Sequence, residues 1–140
     1  MTAVAVDLDG ALGDTRRLWE DWLADAHRRA RVDVTALDEE LPNWRQLLQR
    51  FAEERAPVYL RPDAEASAAL RRLHAAGTTI GVFTDAPEEL ARVALAQLGA
   101  ARRVDALEAG ADALDRLLER LGADTRVVRT RAELVNLRLR

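Results

Sequence analysis

The run Ala3-Val-Ala-Val6 and what ends it constrain this chain more than any other feature. Four apolar residues are too few for a helix and read as a strand buried on both faces. The run stops at two acids one residue apart, Asp7 and Asp9, followed by Gly10. Carboxylates repel, and burying one at the mouth of a strand costs several kcal/mol unless a cation compensates. In open α/β sheets ligands bind at the carboxyl ends of the strands. The pair therefore suggests a site for a cation and a reacting phosphate. Taken alone, the same residues also spell a polar turn.

The rest of the chain alternates helical and extended patterns. Apolar residues at Leu18, Trp19, Trp22, Leu23 and Ala26 predict a helix over Thr15–Ala30, and Trp44, Leu47, Leu48 and Phe51 predict another over Leu41–Ala56. A loop with a short turn is expected over Val32–Glu40, and Pro57 and Pro62 should break the pattern. Asp63 reads as the N-cap of a helix to Ala76, with Gly77 beyond its end. Thr78–Phe83 is β-branched and apolar and predicts a second strand. Asp85 and Glu88 resemble a capping box ahead of a helix over Glu88–Leu98. Strand Arg103–Leu107, amphipathic helix Asp112–Leu121 and strand Arg126–Arg129 follow. Thr130 and Glu133 form a capping box for a last helical turn, and Asn136–Arg140 reads as tail or edge-strand stub.

This order predicts an α/β fold: a three-layer sandwich around a parallel, Rossmann-like sheet of four or five strands. Residues 15–59 fall outside the rhythm as a helical cap insertion, leaving 1–14 and 60–140 as the α/β core. At 140 residues one domain is expected, and 49% hydrophobic residues suit a soluble globular chain. No apolar run reaches the roughly 20 residues of a membrane helix, and no basic region precedes the first apolar stretch. The expectation is a cytoplasmic protein without membrane contact. A net charge of −3 argues against nucleic-acid binding. The absence of Cys removes thiolate chemistry and disulfides. Every basic residue apart from the two His is Arg, which excludes any mechanism needing a lysine ammonium.

Two predicted strand ends carry chemistry. The first holds Asp7 and Asp9 and the second Thr84, and a parallel sheet places both on one edge, strands about 4.8 Å apart. Here the sequence resembles the haloacid dehalogenase-like superfamily of phosphatases. Asp7-Leu-Asp-Gly-Ala-Leu-Gly-Asp-Thr15 is similar to that family's first motif, with Ala11 where Thr or Val is usual. Arg61–Gly77 followed by Ile80–Thr84 resembles the approach to its second motif, and the inserted helices resemble a small cap.

The resemblance implies a phosphomonoester phosphatase. Asp7 would attack phosphorus to form an aspartyl-phosphate. Asp9 would protonate the leaving alcohol and then deprotonate water. Mg²⁺ would bind Asp7 and the Asp9 main-chain carbonyl. Thr84, with Asp85 and Gly10, would hold the phosphoryl group of a small phosphorylated substrate.

The chain departs from the family twice. Glu108-Ala-Gly-Ala-Asp112 offers no cation where the third motif supplies one, and Arg129 and Thr130 stand where the fourth has Gly-Asp. Candidate substitutes are Arg129 for positive charge and Glu133 or Asp112 for a metal. Each also has a structural explanation: a solvated arginine, a capping box and a helix N-terminal acid. The alternative function is a degenerate member that binds a phosphorylated ligand or protein partner without turnover. A receiver-type signalling domain ranks third, because it needs a lysine and has no cap. Trp19, Trp22, Trp44, Phe51 and Tyr59 lie in the insert, where they could make its own core, a lid, or a homodimer surface; the expected oligomeric state is monomer or such a homodimer.

Overall fold

A computed structural model describes residues 2–138. The elements in chain order are β1 (Ala3–Asp7), α1 (Arg16–Ala30), α2 (Leu37–Glu40), α3 (Trp44–Tyr59), α4 (Ala64–Ala75), β2 (Thr79–Thr84), α5 (Glu88–Gln97), β3 (Ala106–Ala109), α6 (Ala113–Leu121), β4 (Arg126–Val128) and α7 (Arg131–Val135). The strands form one parallel sheet in the order β3-β2-β1-β4. This is the expected α/β sandwich. Asn136–Arg138 are turn and coil, and the remainder of the segment expected as tail or edge strand lies outside the described residues.

The period-2 alternation of the strands builds the layers. Val4, Val6, Ile80, Val82 and Val128 point to one face, where they meet Ala69, Leu70 and Leu73 of α4, Ala91 and Leu95 of α5 and Leu134 of α7. Ala5 and Phe83 point to the other face, against Ala113 and Leu117 of α6. β1 lies between β2 and β4 and is buried on both sides, which explains its unbroken apolar run.

Local signals placed several boundaries. The Asp63 carboxylate accepts from the Ala66 N–H at 2.9 Å, starting α4 as a cap should. Gly77, at φ +80°, ends it, with the Thr78 N–H donating to the Leu73 carbonyl. Others differ from expectation. α3 continues through Pro57 to Tyr59, because Ala56 and Leu60 are buried in the main core and hold its last turn. Asp85 does not cap α5; Pro87 precedes that helix without a side-chain cap, and the Thr84 hydroxyl accepts from the Ala86 N–H instead. β3 starts three residues later than expected, since residues 101–103 wind into a short 3-10 turn first.

The insert makes a second cluster. Leu18, Trp22 and Ala26 of α1 pack with Trp44, Leu48 and Ala52 of α3. Trp19 stacks on Trp22 with centroids 5.6 Å apart, and Trp44 lies 5.9 Å from each. The Trp44 indole N–H donates to Asp38, so its polar edge is satisfied. The cluster also takes in Ala86 and Leu90, so α3 leans on α5 of the core. No helix among the described residues is long and apolar enough to cross a membrane.

Candidate functional site

Immediately after β1 the chain makes a wide turn, Leu8–Leu12, closed by the Gly13 N–H donating to the Leu8 carbonyl at 3.0 Å. Its geometry needs Gly10. That residue has φ +129°, and a Cβ there would sit 2.6 Å from the Arg129 carbonyl oxygen. The turn is thus pressed against the end of β4. Asp7, the last residue of β1, is in register with Phe83 one strand away, and the turn carries Asp9 just beyond it at the carboxyl edge of the sheet.

A cleft of about 450 Å³ opens at this edge. Asp7, Asp9, Thr84, Asp85, Asp112 and Arg129 all line it, together with Thr15, Arg16 and Trp19 at the start of α1 and the first turn of α6. Six of the eight sequence-nominated residues therefore meet in one place. The other two do not. Gly10 does not line the cleft, and its N–H donates to the Gly13 carbonyl at 2.8 Å within the turn. Glu133 accepts from the Thr130 hydroxyl at 3.2 Å and the Arg129 N–H at 3.4 Å, while its own N–H donates to Thr130; it caps α7.

The two acids differ in their surroundings. Asp7 is 20% exposed and accepts from the Asp9 N–H at 3.1 Å. Burial pushes its carboxyl above the ordinary 3.8; the Asp9 and Asp85 charges push the same way, while the Asp9 N–H and Arg129 oppose. Asp9 is locked. Its Oδ1 accepts from the Thr15 N–H at 2.7 Å and the Thr15 hydroxyl at 2.8 Å, and its Oδ2 accepts from the Thr84 hydroxyl at 2.7 Å. Thr84 thus positions Asp9, and its hydroxyl is already committed. In the sequence Thr15 carries no role at the site, because it reads there as the first residue of the helix over Thr15–Ala30. Here the side chain makes no capping bond and serves Asp9 instead.

Two cations line the cleft among the described residues. Arg16 is engaged by Asp14 through a two-pronged ion pair at 2.6 and 2.9 Å. Arg129 extends over the Phe83 ring, with Nη1 4.0 Å from Asp7 Oδ2. Arg116 does not enter; it pairs with Glu108 and donates to the Ala109 and Ala111 carbonyls, stapling the loop before α6.

These observations test the expected Mg²⁺. The ion wants near-octahedral oxygen ligands at about 2.1 Å. Among the described residues no three His, Asp or Glu side chains converge to hold one. The donors that the resemblance names are one Asp7 oxygen and the Asp9 main-chain carbonyl; beyond these, both Asp9 carboxylate oxygens are occupied, Glu133 faces its own helix, and a guanidinium stands 4.0 Å from Asp7 Oδ2. The donor set does not fit a magnesium ion.

Comparison with solved structures shows what the fold is similar to. The chain superposes on CbbY from Rhodobacter sphaeroides, determined with phosphate, at 16% identity and TM-score 0.66, covering 99% of this chain and 84% of that one. It matches a candidate β-phosphoglucomutase from Thermotoga maritima at 23% identity and TM-score 0.58, over 91% and 75% of the two chains. A dehalogenase caught with an intermediate aligns at 16% identity and TM-score 0.53, over 92% and 76%. The fold is haloacid dehalogenase-like. No protein-family model matches the sequence, and no curated protein matches it. In the haloacid dehalogenase-like frame, α1–α3 occupy the place of the helical cap, and Trp19 brings that cap to the rim of the cleft.

Proposed function

We propose that the chain is a phosphomonoester hydrolase that works through an aspartyl-phosphate on Asp7. One observation carries the reading: Asp7 and the locked Asp9 share a cleft at the carboxyl edge of a haloacid dehalogenase-like sheet. An Asp7 oxygen attacks phosphorus, and the bond from phosphorus to the leaving oxygen breaks. The departing oxygen takes a proton from Asp9. Water then attacks the same phosphorus and returns a proton to Asp9, the bond to Asp7 breaks, and inorganic phosphate leaves.

The surroundings suit these roles. The Thr15 N–H can only donate, so it keeps Asp9 Oδ1 an acceptor. The Thr84 hydroxyl facing Oδ2 can reverse its bond and accept, which leaves Oδ2 free to carry the proton. Arg129 and the positive end of the α6 dipole face the charge that develops on the phosphoryl oxygens. Trp19 offers an apolar wall at the rim for the organic part of a small substrate.

A second reading, binding of a phosphorylated ligand without turnover, is favoured by the commitment of both Asp9 oxygens and the Thr84 hydroxyl. One experiment separates them. The protein is incubated with an aryl phosphate, quenched in acid and examined by mass spectrometry for a phosphoryl adduct. An adduct on Asp7, with turnover abolished in Asp7→Asn, supports the hydrolase. Turnover that survives Asp7→Asn refutes it, and ligand binding without adduct or turnover establishes the second reading.

A further inference from the structure

The residues around Asp7 that disqualify a divalent cation also supply something in its place. We infer that this cleft holds a phosphate-sized dianion without metal, with the Arg129 guanidinium as its fixed positive charge. The inference rests on reading the cleft as a phosphoryl site and specifies how that site meets the charge.

Three observations support it. The first is place: Arg129 follows β4, the strand hydrogen-bonded to β1, and its Nη1 lies 4.0 Å from Asp7 Oδ2. Any cation bound to that oxygen must share it with the guanidinium, and like charges so close repel. The second is anchorage. The Arg129 N–H donates to Glu133, and its carbonyl is the atom pressed against Gly10. Its backbone is therefore tied to the turn that carries Asp7 and Asp9, and its side chain starts from a fixed point beside them.

The third observation is availability. The side chain is 58% exposed, and its one ion pair among the described residues is the long contact to Asp7. Arg16 is held bidentately by Asp14, and Arg116 by Glu108 and two carbonyls. Arg129 therefore keeps donors for an incoming ligand. A guanidinium carries five N–H donors in a planar fork that matches two oxygens of a phosphate. Bidentate contact would place one phosphate oxygen pair on Arg129 and turn phosphorus toward Asp7, with a positive charge between two groups that otherwise repel.

The test uses the full chain and inorganic phosphate as probe, by calorimetry, first in excess chelator and then in excess Mg²⁺. The expected result is the same dissociation constant in both, with no heat from Mg²⁺ alone. Arg129→Gln should weaken phosphate binding roughly ten- to a hundredfold, as loss of a charge-assisted pair does. Arg129→Lys should fall between, keeping the charge and losing the fork. Thermal unfolding checks that both variants fold, as expected for so exposed a side chain. Phosphate that binds only with Mg²⁺, or equally well to Arg129→Gln, overturns the inference. The two proposals fail separately: metal-free binding without an Asp7 adduct removes the hydrolase and leaves Arg129 in its role, whereas Mg²⁺-dependent turnover through Asp7 does the reverse. No binding under either condition overturns this inference outright.

Discussion

Replacing Gly10 by Ala would drive a wedge into the site. Two costs arise there, and they can be measured apart. The first is conformational: a side chain at φ +129° occupies a region open mainly to glycine, at about 1–3 kcal/mol. The second is steric. The new Cβ would lie 2.6 Å from the Arg129 carbonyl oxygen, whereas carbon and oxygen rest at roughly 3.3 Å or more. One backbone must retreat by about 0.7 Å, and overpacking of that kind costs about 1–3 kcal/mol. Neither backbone moves freely, because Val6 and Val128 are paired in the sheet beside the contact. The expected loss is about 2–6 kcal/mol. Gly77→Ala is the control: φ is +80°, but a Cβ there meets nothing within 4 Å, so only the conformational cost of about 1–2 kcal/mol applies. Urea unfolding of both variants measures the difference. At this chain length each kcal/mol also lowers the melting temperature by about 3–4 °C. If Gly10→Ala costs no more than Gly77→Ala, the contact with Arg129 is not a constraint, and the anchoring of that residue falls with it.

Two further outcomes are expected. Asp7 titrates above 3.8 in the folded chain, so folding favours its protonated form: its contribution is fully present below the unfolded value and is lost as pH rises through the folded one. Asp7→Asn should therefore melt higher than the native chain at pH 7, with the gap closing as pH falls through that window; a gap that is absent at pH 7 or widens in acid refutes the burial argument. Trp22 is 3% exposed and touches two other indoles, so Trp22→Ala should cost about 3–5 kcal/mol in chemical denaturation. Unchanged stability with a changed mass in sedimentation would instead assign the aromatics to self-association.

Much of this fold was legible because its signals are local. Ala3–Val6 is apolar without interruption because β1 is covered on both faces, and Asp63 and Gly77 mark the ends of α4 by backbone chemistry that needs no tertiary context. Pro57 misled because burial of Ala56 and Leu60 outweighs one missing N–H in the last turn of α3. β3 was misplaced because a four-residue edge strand carries little pattern of its own. At the site, the edge holding Asp7, Asp9 and Thr84 followed from strand order. The three hydrogen bonds that immobilise Asp9 did not, because Thr15 and Thr84 are each read differently by local rules. The fate of Glu133 was visible as a cap, and the role of Arg129 depended on a contact between strand ends distant in sequence.

The position of β1 has a kinetic consequence. It precedes the other three strands in the chain and lies inside the sheet, yet Val4 pairs with Ile80 and Val6 with Val128. During synthesis its apolar edges have no partner until most of the chain has emerged. Closing such long loops before any contact rewards them makes folding slow, and leaves a buried-type strand open to wrong pairing meanwhile. The insert follows β1 directly and gathers its tryptophans from residues 19 to 44, so it can collapse early and locally. A chain cut short before β4 would carry Asp7 and Asp9 without the strand that brings Arg129 to them.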